Sequence, residues 1–173
     1  MSRVGLSGRS FLQLTHADLR RLADIARDDR ETFFARYPEW ATLYADRVVC
    51  TALCQGAALH ALDGTTGIQD FDVYTFYAAH PARRWYAKRL VHRDFGDPRF
   101  GQSPDAPAYC GRRVDLLGRG MAVPPGADPV SSLRSYLRDG VTTTARLLAR
   151  KAVILLTPIA QCGTIVWPYR EEL

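Results

Sequence analysis

Gly67-Ile68-Gln69-Asp70-Phe71-Asp72-Val73-Tyr74-Thr75-Phe76 decides how this chain is read. From Ile68 to Ala78 the residues are largely β-branched or aromatic, the composition of a strand. Alternate side chains of a strand share a face, so Asp70 and Asp72 point one way while Phe71 and Val73 point the other. Two like charges so placed repel unless something positive lies between them. A divalent cation is the economical answer, because Mg²⁺ takes hard carboxylate oxygens together with substrate phosphates. The plainer reading is a solvated pair on an edge strand, and the apolar back face argues against it.

Working outward, Val48-Val49-Cys50-Thr51-Ala52-Leu53 reads as a short buried strand. Gly56 stops it, and Ala57 to Leu62 follows as a helix ahead of the turn-rich Asp63-Gly64-Thr65-Thr66-Gly67. A strand that turns through glycine straight into a helix offers free backbone N–H groups to an anion. Gly111 to Leu117 is a third strand, with Asp115 and Arg113 on one face and Val114 and Leu116 on the other. Set beside the Asp70/Asp72 strand it brings three carboxylates together, enough for two metals about 3.5–4 Å apart. Otherwise Asp115 and Arg113 form an ordinary surface pair, worth about 0–1 kcal/mol.

Thr15 and Asp18 form a capping box before Leu19, Leu22, Ala23 and Ala26 at helical spacing. A short aromatic helix is expected over Glu31 to Arg36, and Pro38 opens another. Phe95 to Cys110 is rich in Gly, Pro and Asp and reads as a loop. Asp128-Pro129 starts a helix that ends near Gly140, and a further helix spans Thr142 to Lys151. Ala152 to Leu156 is strand-like and can pair with Thr164 to Trp167. One domain over residues 1–173 is expected, with N-terminal helices (1–45), a core (46–120) and C-terminal helices and strand (121–173). Helices and strands without regular alternation indicate an α+β fold, a small mixed sheet with helices packed on one face and the carboxylates on the other.

The ordered set resembles the polymerase-β-like nucleotidyltransferase superfamily. That family places a strand, a Gly followed by Gly or Ser opening a helix, an acidic-x-acidic strand and a third acidic strand in this order. Here thirteen residues separate Gly56 from Asp70, and the resemblance runs from Val48 to Leu117, about 70 of 173 residues. Ala57 stands where the family has Ser or Gly, and the segment after Asp115 is shorter than the helical substrate domain many members carry. The resemblance implies Mg²⁺, or Mn²⁺ in its place, held by Asp70, Asp72 and Asp115 as metal-binding and catalytic residues. It implies nucleotide binding by Gly56 and Ala57, with Arg113, Lys88, Arg83 and Arg84 as candidate phosphate clamps. The activity implied is transfer of a nucleoside monophosphate from an NTP to an acceptor hydroxyl on an RNA end, a protein or a small molecule.

Two other classes compete. A catalytically silent basic binding module, gripping nucleic acid or a toxin–antitoxin partner, draws on the net charge of +5 and on Trp85-Tyr86 among Arg83, Arg84, Lys88 and Arg89. The same run reads as an amphipathic helix with its aromatics turned inward. A haloacid-dehalogenase-type phosphatase also uses Asp-x-Asp, but its nucleophile ends a buried apolar strand, whereas Thr65-Thr66-Gly67-Ile68-Gln69 is mostly polar. His16, His60, His80 and His92 show no metal spacing and read as surface or capping residues, and no Ser sits in a G-x-S-x-G context. With 47% hydrophobic and 24% charged residues the chain has the composition of a folded globule, not of a disordered one. Its longest apolar run, Ala152 to Leu156, is too short to span a membrane. No export signal is read in the first residues, and Cys50, Cys54, Cys110 and Cys162 suit free thiols in a reducing compartment, so a cytoplasmic location is expected.

Overall fold

The computed structural model describes residues 8–85 and 89–170. The strands are β1 (Val48–Cys54), β2 (Phe71–Ala78), β3 (Leu90–Asp94), β4 (Arg113–Met121), β5 (Val153–Thr157) and β6 (Ile165–Trp167). The helices are α1 (His16–Arg36), α2 (Pro38–Tyr44), α3 (Gln55–Asp63), α4 (Pro129–Asp139) and α5 (Thr143–Leu148). The strands form one mixed sheet in the order β3-β4-β2-β1-β5-β6, in which β2 and β4 run parallel and the other pairs antiparallel. The α+β class and the mixed sheet match the sequence reading.

Alternation sorts the core into two layers. Leu53, Phe71, Val73, Val114, Leu116, Ile154 and Leu156 meet α1 and α3 on one face. Cys50, Ala52, Cys54, Tyr74, Phe76, Val153 and Leu155 meet Leu133 and Leu137 of α4 and Leu148 of α5 on the other. Helical cover therefore extends to both faces, beyond the single face expected from the sequence. It is incomplete on the second face: β3 contributes only exposed and half-buried residues, and Leu90 there is 51% exposed.

The capping box at Thr15 and Asp18 is present, and α1 runs through Glu31–Arg36 without the break expected between two helices. Its Asp29 binds Arg89 through two hydrogen bonds of 2.9 and 3.1 Å and Arg93 at 2.8 Å, tying the helix to the β3 region. Asp128 caps α4, Gly140 ends it in the left-handed conformation, and α5 is shorter than expected. Ile68 lies outside β2 and makes an isolated bridge with Ser10. Strand β3 is an element the sequence did not announce.

Past Leu117 the β4 edge has no β3 partner, and Trp85 packs over it. Its indole stacks on Tyr77 with ring centres 3.9 Å apart, inside a cluster with Phe33, Trp40 and Tyr44. Trp85 is 7% exposed, so it does not offer a stacking face to a base; residues 81–85 are not helical, and Tyr86 and Lys88 lie outside the described residues. A Cβ at Gly118 would collide with the Trp85 indole nitrogen, whereas one at Gly120 would meet only Ala79 Cβ at 3.8 Å. Gly118→Ala is expected to lose about 1–3 kcal/mol by urea denaturation, and Gly120→Ala to remain within about 0.5 kcal/mol of the parent.

Candidate functional site

The β2–β4 pairing sets the site. Asp72 lies directly opposite Asp115 in the parallel register, Cys54 faces Asp72 from β1, and His92 faces Asp115 from β3. Neighbouring strands lie about 4.8 Å apart, so Asp72 and Asp115 share one small volume on one sheet face. Asp70, just ahead of β2, joins them through Arg113.

Arg113 is the centre of a charge network. Its Nε donates to Asp115 Oδ1 at 2.8 Å, and its Nη2 to Asp70 Oδ2 at 3.1 Å and Asp115 Oδ2 at 3.3 Å. Its Nη1 pairs with Asp105. His92 Nδ1 meets Asp115 Oδ1 at 2.7 Å, and Ser103 Oγ donates to Asp70 Oδ1 at 2.9 Å. The Asp72 carboxylate takes no hydrogen bond or ion pair from any described residue. Burial, reinforced by the charges of Asp115 and Asp70, pushes its carboxyl up to about 6. Burial also raises Asp70, against the opposing pull of Ser103 and Arg113.

Strand β1 delivers the second half. Gln55 holds φ 62°, an uncommon left-handed conformation for a non-glycine residue that turns the chain abruptly from strand to helix. Gln55 N–H bonds Ala152 O at 3.2 Å, and no side chain caps the first turn of α3. A cavity of about 160 Å³ opens there, lined by Gly56, Ala57, Asp70, Asp72, Arg9 and Lys151, among others. It has room for phosphates and an ion but not for a whole nucleotide, since drug-sized ligands occupy roughly 300–1,000 Å³. Arg9 is tethered to Thr66 O at 3.1 Å, and the Lys151 ammonium has no hydrogen-bond or ion-pair partner among the described residues.

Five of the sequence-predicted site residues thus line this cavity or share the Arg113 network with those that do: Gly56, Ala57, Asp70, Asp72 and Asp115. Arg113 also joins them, but it is bound to carboxylates and is not turned to the cavity as a phosphate clamp. Arg83 and Arg84 are not at the site. Arg83 stacks over Trp40 at 4.2 Å, in the Tyr77 cluster about five residues along β2, roughly 16 Å away. Arg84 lines a different cavity, and Lys88 falls outside the described residues. The expectation that the histidines are surface or capping residues fails at His60, which is buried between Leu12 O and Gly67 N–H, both at 3.0 Å. His92 is exposed as expected, and it also pairs with a site carboxylate, that of Asp115. Arg9, Lys151, Ser103 and His92 were missed, because long-range topology brings them to the site and no local spacing marks them.

Carboxylate oxygens suit a hard divalent cation. Among the described residues, however, no group of three or more His, Cys, Asp or Glu is arranged to hold a metal ion. The geometry gives the reason: Arg113 occupies Asp70 and Asp115 and leaves only Asp72 without a partner. An ion held by all three carboxylates would have to displace Arg113 from Asp70 and Asp115. No family model matches the chain, and neither curated proteins nor solved structures give a match.

A carboxyl held near 6, above its usual 3.8, binds its proton more tightly when folded, so stability from this group is present below about pH 4 and is lost as pH rises through 6. Asp72→Asn is therefore expected to be more stable than the parent at pH 7.5, by on the order of 2–3 kcal/mol, with the difference gone near pH 4. Chemical denaturation at both pH values checks this.

Proposed function

We propose that the chain is a nucleotidyltransferase that moves a nucleoside monophosphate from an NTP to an acceptor hydroxyl, using Mg²⁺ or Mn²⁺. One observation carries the reading. Asp72 is a partly buried carboxylate without a described partner, directly opposite Asp115 and beside the uncapped start of α3. Such a group is poised for an incoming positive charge. Asp72, with Asp70 and Asp115, would hold a divalent ion, which would supply positive charge to offset that of the phosphates.

The chain's own residues do the rest. Gly56 and Ala57 bring backbone N–H groups to the phosphates, and Lys151 and Arg9 offset their charge. Arg113, released from Asp70, follows the phosphates. Asp115, oriented by His92, accepts the proton of the acceptor hydroxyl. The hydroxyl oxygen bonds to the α-phosphorus, the bond to the bridging oxygen breaks, and pyrophosphate leaves with the electron pair. The reading includes the cytoplasm as the setting: all four cysteines are free, and no described helix is long and apolar enough to cross a membrane.

The binding-module reading draws on one observation, the guanidinium of Arg113 lying between Asp70 and Asp115 where an ion would sit. A phosphatase of the haloacid-dehalogenase type is disfavoured, because Asp70 precedes β2 and Asp72 is its second residue, so neither ends a strand.

Incubation with each labelled NTP and Mg²⁺, offering RNA, protein and small-molecule extracts as acceptors, tests the proposal. Label transfer is expected, falling at least 100-fold in Asp72→Asn and Asp115→Asn. NTP with Mg²⁺ at 100 times its dissociation constant should add about 2.7 kcal/mol to stability. No transfer and no Mg²⁺-dependent stabilisation would overturn the proposal, and NTP stabilisation without Mg²⁺ or transfer would mark a binding module.

A further inference from the structure

A second cavity, about 640 Å³, opens at the other end of β2 and β4, between the tail of β4, the segment before Trp85 and the α4–α5 corner. Its size is that of a small-molecule site. Met121, Val141 and the edge of Trp85 give it an apolar wall. Tyr136 and Thr142, whose hydroxyls bond each other at 3.0 Å, give it a neutral polar one. Arg84 and Asp139 bring one charge of each sign to the lining, the Arg119 guanidinium is engaged by Thr144 Oγ1 at 2.9 Å and Gly118 O at 2.7 Å, and the rest of the lining is apolar or hydroxylic.

The cavity and Asp115 share strand β4. Asp115, Leu117 and Arg119 alternate onto one face of β4, and the four residue steps from Asp115 to Arg119 span about 13 Å. Leu117 faces the 51%-exposed Leu90 across the β3–β4 pair, on the sheet face where α4 and α5 pack against β1, β2 and β5 but not β3. Leu90 and Leu117 therefore form an apolar strip on the sheet face between the cavity's Arg119 and Asp115.

We propose that this cavity and strip bind the acceptor, a neutral small molecule of two or three rings whose apolar body lies on Leu90 and Leu117 and whose hydroxyl reaches Asp115. This rests on the nucleotidyltransferase reading. The hydroxyl oxygen replaces pyrophosphate on the α-phosphorus, and its proton passes to Asp115. An RNA end is the poorer occupant, because single strands need a cationic groove with exposed rings, whereas Asp139 offsets Arg84 in this lining, Arg119 is engaged, and Trp85 is buried against Tyr77.

The test uses the full chain and a set of neutral aryl glycosides headed by 4-nitrophenyl β-D-glucopyranoside, with saturation-transfer NMR and tryptophan fluorescence as readouts. Gly120→Val places a branched side chain at the cavity wall, where a Cβ meets only Ala79 at 3.8 Å. Val141→Glu alters the rim at a residue 83% exposed, where folding is not at stake. Glycoside binding is expected in the parent, at least tenfold weaker in both variants, with ATP–Mg²⁺ affinity by calorimetry within twofold of the parent. The proposal is overturned if no glycoside binds, if both variants bind glycoside as the parent does, or if a single-stranded RNA decamer binds in its place and loses affinity in the variants. ATP–Mg²⁺ that binds neither parent nor variants sinks the nucleotidyltransferase reading separately, whatever the glycosides do.

Discussion

The parallel pairing of β2 with β4 places Asp72 opposite Asp115, and most of what is distinctive in this molecule answers the repulsion that follows. Arg113 bridges Asp115 and Asp70, with Asp105 on its remaining arm. His92 and Ser103 complete the hydrogen bonding of the same two carboxylates. Asp72 is left out of this settlement, and burial holds its proton affinity well above that of an ordinary aspartate. A fold that only needed stability would replace such a group, since an apolar or amide side chain there removes the penalty. Its position beside the turn into α3 is the physical core of the functional proposal.

The surroundings make that arrangement durable. Both sheet layers around β1, β2 and β5 are filled by buried aliphatic and aromatic side chains, so the strand register is set by packing on two faces. The carboxylates sit where this packing stops, at the start of β2 and β4 and next to the thinly covered β3. Rigid strands thus carry charged groups to the rim of the core, where a small charged ligand can reach them without opening it.

Much of this was legible from local pattern. The β1–turn–α3–β2 unit announces itself through an apolar run, Gly56 and a β-branched strand. The Asp-x-Asp alternation assigns a face, and the Thr15, Asp128 and Gly140 signals place helix ends. Asp115 was found because Val114 and Leu116 flank it. Strand β3 was not found, because Leu90-Val91-His92-Arg93-Asp94 has two apolar residues in five, and its strand state comes from its ladder with β4. Helical cover on the second face was missed because periodicity marks an amphipathic helix without saying which side of the sheet receives it. Arg9 and Lys151 lie 61 and 79 positions from Asp70 and Asp72 respectively, and sheet order alone brings them to one cavity. Arg113 was read as a phosphate ligand, because strand alternation gives its face but not its nearest partner.

The most direct measurement is the titration of the Asp72 side-chain carboxyl by ¹³C NMR, without and with Mg²⁺ and a non-hydrolysable ATP analogue. The account predicts a midpoint near 6 in the free protein and a displacement to lower pH when both ligands are present, because bound positive charge favours the carboxylate. A midpoint near 4 that ignores both ligands would contradict it.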